Sequence, residues 1–166
     1  MTRLRSARRL ACAAYLLWCG VAAISVAAQP AAALKDVTFA IDNNLNCKRM
    51  YEQRGDIYLL KGDLNAAIEN YSVLLSDPNG FNRDVYWKRG KVYLQIGEAQ
   101  KAVTDFTSGI GTSSLCEKDY QLRAEAFRLL GDTDAAEADE ERARQALQDQ
   151  KKYLGSDYCH YHYGRQ

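Results

Sequence analysis

Between Cys47 and Ala146 the apolar and polar positions of the chain repeat themselves three times. Tyr51-x-x-Arg54-Gly55-x-x-Tyr58 returns as Tyr86-x-x-Arg89-Gly90-x-x-Tyr93 and again as Tyr120-x-x-Arg123-Ala124-x-x-Phe127, at spacings of 35 and then 34 residues. Seven residues after each small residue stands a glycine (Gly62, Gly97, Gly131), and twelve after it an alanine (Ala67, Ala102, Ala136). A period of this length, with apolar positions at helical spacing and glycine between them, predicts tandem helix pairs rather than one closed core. The helices are expected at about 47–61, 64–76, 83–96, 98–109, 117–130 and 134–153. Glycine ends the first helix of each pair, and the acid that follows it favours the next N-terminus: Gly62-Asp63, Gly97-Glu98, Gly131-Asp132. Asp77-Pro78-Asn79-Gly80 and residues 109–114 read as loops between pairs.

The recurrence of aromatic, small, aromatic, glycine and alanine at fixed offsets resembles the tetratricopeptide repeat family over about 100 residues. An aromatic four residues after the alanine fits in two copies, Tyr71 and Phe106, while Glu140 replaces it in the third. Where the family pattern has leucine before the small residue, this chain has Arg54, Arg89 and Arg123. The resemblance implies an all-α fold, a right-handed α-solenoid of three helix-turn-helix pairs at about 48–80, 83–114 and 117–146 within a repeat domain spanning 47–150. The last helix runs on through the polar stretch Gln145 to Lys152, suited to cover the end of the stack. Residues 29–46 are expected as a linker or a short leading helix through Val37, Phe39 and Ile41, and 151–166 as a tail.

Composition alters the picture at the N-terminus. Arg3, Arg5, Arg8 and Arg9 precede an apolar run from Leu10 to Ala27, which ends in Val26-Ala27-Ala28. That is the pattern of a cleavable secretory signal, cut after Ala28 or after Ala33, and it predicts a periplasmic or secreted, bacterial protein with no membrane contact after cleavage. The leader holds four of the 22 basic side chains and none of the 21 acidic ones, so the remainder carries a net charge near −3. That balance lacks the basic stripe a nucleic-acid binder needs.

Export bears on the cysteines, of which Cys47, Cys116 and Cys159 remain. On the implied architecture Cys47 and Cys116 lie two repeats apart, and the tail returns toward the start of the third pair. Cys116–Cys159 is therefore the expected disulfide, leaving Cys47 buried or available to join a second copy. The tail also places His160 and His162 beside Cys159, but a metal site would need further ligands and none is expected. Asn70-Tyr71-Ser72 fits a glycosylation acceptor, though within a helix.

The resemblance further implies that the first helix of each pair lines a concave binding face. It assigns Glu52, Gln53, Asp56, Leu59 and Leu60 from the first pair, and Trp87, Lys88, Lys91, Leu94 and Gln95 from the second. The third supplies Gln121, Leu122, Glu125, Arg128 and Leu129. Trp87 is expected as an anchor, because Tyr86 and Tyr93 already supply the structural rings of its helix. Glu52 and Asp56 stand where some relatives hold a Lys/Asn clamp for terminal carboxylates, so acidic chaperone tails are not expected. No catalytic constellation, phosphate loop or cofactor motif occurs, and the expected role is a scaffold or adaptor for a protein or peptide segment of mixed charge. The rival reading is a self-associating structural subunit of an envelope assembly, and a metal-binding protein using the Cys/His tail comes third.

Overall fold

The computed structural model describes residues 30–43, 48–76, 83–111 and 116–153. Every regular element among them is a helix: α1 (Pro30–Asp42), α2 (Lys48–Leu60), α3 (Leu64–Leu75), α4 (Arg83–Gln95), α5 (Ala99–Ile110), α6 (Glu117–Leu129) and α7 (Thr133–Tyr153). From α2 onward, both ends of every helix fall within one residue of the span the periodicity predicts. The chain divides into two compact units, Met1–Ser76 and Asp77–Gln166. The leader and the Cys/His tail lie outside the described residues, and no described helix is long and apolar enough to cross a membrane.

Each pair turns by the same chemistry. Gly62, Gly97 and Gly131 adopt φ of +77°, +79° and +79°, a left-handed conformation that glycine enters without the Cβ penalty. This lets Asp63 N–H reach Tyr58 O, Glu98 N–H reach Tyr93 O and Asp132 N–H reach Phe127 O, at 2.9–3.0 Å, closing the first helix. The next helix then starts on the acid: Asp63 Oδ1 accepts from Ala66 N–H and Asp132 Oδ1 from Ala135 N–H, both at 3.1 Å. Glu98 makes no such side-chain cap, its carboxylate being one methylene further out.

In the first unit, α2 and α3 pair through the ring of Tyr71, which lies against the backbone of Gly55. In the second unit, Phe106 of α5 lies against Gly90 of α4 in the same way, and Trp87 lies over Gly109. These contacts explain the mid-helix glycines, which otherwise cost about 1 kcal/mol each relative to alanine. The requirement comes from a ring on bare backbone, more than from facing alanines. Where Glu140 takes the ring's place, the third copy carries Ala124. The second unit continues with α6 packed on α5, through Ala102, Val103, Phe106, Ile110 and Ala126, and with α7 packed on α6. At the places where Val103 and Ile110 are buried, α7 has exposed Glu137 and Arg144, so it presents a polar surface there.

The leading helix, Pro30–Asp42, lies within the span 29–46 where a linker or short helix was expected, and it buries Ala33, Val37 and Ala40 against Met50 and Ile57 of α2. Phe39, expected to pack, is 63% exposed, because the buried stripe runs i, i+4, i+7 from Ala33 and leaves Phe39 off it.

Candidate functional site

The three arginines that break the leucine pattern organise each pair. Every one bonds a residue sixteen positions on, in the second helix. Arg54 Nε donates to Asn70 Oδ1 at 2.6 Å. Arg89 donates through Nε and Nη2 to the two oxygens of Asp105 at 2.8 and 2.7 Å, and Arg123 does the same to Asp139 at 2.6 and 2.8 Å. The guanidinium groups also lie over neighbouring rings: Arg54 over Tyr51, Arg89 over Tyr93, and Arg123 over Tyr120 and Phe127, at 5.4–6.0 Å. Asp105 and Asp139 are buried, and their fork-shaped partners satisfy both oxygens, which makes burying the charge tolerable. Hydrogen bonding to Asp105 raises the already high pKa of Arg89. Asn70, the glycosylation candidate, is buried in this network and also donates to Ala66 O at 2.8 Å.

The expected binding residues divide into interior and surface. Trp87 is interior: 3% exposed, stacked on Phe106 with ring centroids 4.8 Å apart. The anchor expectation is corrected here, because the ring fills the core of the second unit. Room for it comes from Gly109, which stands where the first copy has Leu74 and the third has Ala143. In the first unit Glu52, Gln53, Asp56 and Leu59 are half-buried and Leu60 is exposed. Asp56 Oδ1 accepts from Tyr71 Oη at 2.7 Å, and burial followed by this carboxylate pushes the phenol well above its ordinary pKa. Part of Asp56 is thus committed to holding α3.

On α4 Lys88 is half-buried, while Lys91 and Gln95 are exposed; Leu94 packs against the core. On α6 Gln121, Glu125, Arg128 and Leu129 are exposed, and Leu122 packs against the core. Arg128 forms an ion pair with Glu140, so the acid that replaces the third ring meets a guanidinium of its own pair. Arg83 of α4 pairs with the buried Asp119 of α6, tying these two first helices side by side. Their proximity shows in Lys91, whose pKa is lowered first by burial of its ammonium and then by Lys118 of α6. The surface over α4 and α6 is therefore a band of lysines, Lys88, Lys91 and Lys118, beside Gln121 and Glu125.

Cys116 is fully buried at the head of α6, whereas Cys47 and Cys159 lie outside the described residues. Among the described residues no group of three His, Cys, Asp or Glu side chains could hold a metal ion. The arginine network was missed in the sequence. The signal was there, a fixed spacing of sixteen from each Arg to Asn70, Asp105 and Asp139.

Comparison with known proteins agrees with this geometry. Residues 48–72 match the tetratricopeptide repeat model. No curated protein matches the sequence. Two crystal structures of MamA superpose with TM-scores of 0.66 and 0.67, at 23% and 24% identity, covering 75% of this chain and 68% and 72% of theirs. A third, MamA AMB-1, gives 0.61 at 14% identity, over 70% of this chain and 68% of its own. The fold is that of an all-α solenoid built from tetratricopeptide-type helix pairs.

Proposed function

We propose that the chain is an exported scaffold that binds a protein segment through its first helices and performs no catalysis. The observation that carries the reading is the lysine band of α4 and α6. Lys91 is exposed, yet its charge is disfavoured by partial burial and by Lys118. A partner carboxylate would relieve both effects at once, because it neutralises the local charge and accepts hydrogen bonds from the ammonium groups. On α6, Glu125 adds a group of the opposite sign, Gln121 a neutral donor and acceptor, and Arg128 a further cation paired with Glu140. The fitting partner is a segment of mixed charge, helical or extended, with acidic side chains for the α4 band. The Arg–Asp pairs hold helix to helix and leave this surface to be varied without loss of the fold.

The test is capture of partners from the native envelope by the wild-type protein and by a Lys88→Glu/Lys91→Glu variant whose circular dichroism matches wild type. The variant should lose captured proteins that wild type retains, and the retained set should fall off as salt is raised. Identical capture by both would refute the assignment.

A further inference from the structure

The second unit covers its large aliphatic side chains except at its turns. Among its described residues the exposed ones are Ile96, Leu129 and Leu130, at 38%, 61% and 42%. Ile96 and Leu130 hold the same place, directly before the turn glycines Gly97 and Gly131, and Leu129 stands one residue earlier. α4 and α6 run side by side in the same direction, tied by the Arg83–Asp119 pair and with Lys91 near Lys118, so both turns lie at one end of the unit. The stretches outside the described residues join this unit at the other end: 77–82 leads into α4, 112–115 connects α5 to α6, and 154–166 follows α7.

The turns do not need these side chains. In the first copy Lys61 stands at the place of Ile96 and Leu130, and its turn closes through the same bond. Asp63 N–H reaches Tyr58 O at 2.9 Å there, as Glu98 N–H reaches Tyr93 O at 2.9 Å and Asp132 N–H reaches Phe127 O at 3.0 Å. A lysine keeps that place hydrated, whereas an isoleucine and two leucines leave apolar surface in water. The neighbours of this surface indicate what covers it. Before it on α4 lies Lys91, with Lys118 of α6 close by; just past the glycines lie Glu98 and Asp132, both exposed. From the helices to the turns the surface thus runs cationic, apolar, anionic. The acids argue against a lipid surface, whose anionic headgroups they would repel.

We propose that the Ile96–Leu129–Leu130 edge docks an amphipathic helix of a partner protein, one that presents an acidic, an apolar and a basic side chain on one face at successive turns. This rests on the lysine band being a binding surface and extends that surface to the turns. The spacing suits a helix: Lys91 and Ile96 are five residues apart, about 7.5 Å along α4, and a helix brings the same face round about every 5–6 Å. The partner's apolar side chain covers the edge, its acid meets Lys91 and Lys118, and its base meets Glu98 and Asp132.

Two fluorescein-labelled alanine–glutamine helices of identical composition, titrated against the full chain by anisotropy, provide the test. One carries Glu, Leu and Lys on one face at successive turns; in its isomer the leucine sits on the opposite face. The first should bind about tenfold more tightly than the isomer, and Leu129→Ser/Leu130→Ser should abolish that preference while leaving the circular dichroism unchanged. Equal affinity for the two peptides, or a preference that survives Leu129→Ser/Leu130→Ser, would overturn the inference. If Lys88→Glu/Lys91→Glu still loses captured proteins in that case, the scaffold reading stands without it; if capture is also unchanged, both fall. A photo-cross-linking residue in place of Leu130, irradiated without peptide, gives the remaining outcome: attachment to residues 154–166, to the leader or to a second copy would assign the edge to that occupant and overturn the proposal.

Discussion

Gly90→Ala puts a single methyl group where the packing of the second unit is tightest. On the observed backbone its Cβ would lie 2.6 Å from Cε1, 2.9 Å from Cδ1 and 3.1 Å from Cζ of Phe106, against about 3.5–4.0 Å for an ordinary carbon contact. The ring cannot retreat freely, because Phe106 is fully buried and Trp87 is stacked on its other side at 4.8 Å. Two effects compete. Alanine is favoured over glycine in a helix by about 1 kcal/mol, while forcing an extra carbon into a filled core costs about 1–3 kcal/mol. The close approach is to the flat of a wedged ring, so the cost should lie toward the upper part of that range and the net destabilisation near 1–2 kcal/mol. Urea denaturation followed by circular dichroism measures it directly, as a lower midpoint at unchanged slope. Adding Phe106→Leu removes the obstruction, so the double variant should be less destabilised than the sum of the two singles by about 1 kcal/mol or more. At Ala124, which is fully buried, alanine to glycine should cost the helix propensity of about 1 kcal/mol and, for the lost buried methyl, about 0.8 kcal/mol more. Gly90→Ala emerging more stable than wild type, with effects that add to those of Phe106→Leu, would refute the ring-on-glycine account.

Three further outcomes follow from the same contacts. Asp139→Ala strands Arg123, whose side chain is only 14% exposed, and should destabilise by about 3–5 kcal/mol, whereas Asn70→Ala should cost about 1–2 kcal/mol because Arg54 loses a neutral partner; paired urea curves compare them. Lys91→Gln should raise the thermal midpoint at neutral pH. The folded-state pKa of Lys91 lies below its ordinary 10.5, so the charged lysine disfavours the fold at low and neutral pH, and that penalty fades as pH rises toward 10.5; the gain should shrink over the same interval, and a gain independent of pH would show that charge is not the cause. On the proposal that the leader is a cleaved export signal, intact-mass measurement should give a chain that begins at Gln29, because cleavage after Ala33 would remove the first turn of α1 and the buried Ala33 with it.

What the sequence disclosed and what it concealed differ in kind. Helix ends and turns were legible because their causes are local: a glycine at positive φ and an acid after it fix Gly62-Asp63 and Gly131-Asp132 whatever packs around them. The fate of Trp87 was not legible, because it depends on a residue in another helix. A tryptophan at that place in the first copy would meet Leu74, and only Gly109 makes the space that turns a spare ring into a core ring. The same dependence links Gly55 to Tyr71, Gly90 to Phe106 and Ala124 to Glu140: the size of the small residue answers the size of the group facing it, so the pair varies together between copies. The arginines taught the converse lesson. Taken singly, Arg54, Arg89 and Arg123 read as departures from a leucine pattern; taken with Asn70, Asp105 and Asp139, they are a second pattern of period 34–35 laid over the first. Glu140 follows the same rule. Its carboxylate would be a poor substitute for a ring in a filled core, but with Arg128 within reach it is an ion pair at a half-exposed edge. The third pair is therefore held by charge where the first two are held by rings. It should lose stability with added salt more steeply than they do, and hydrogen exchange of α7 amides at low and high ionic strength would decide the point.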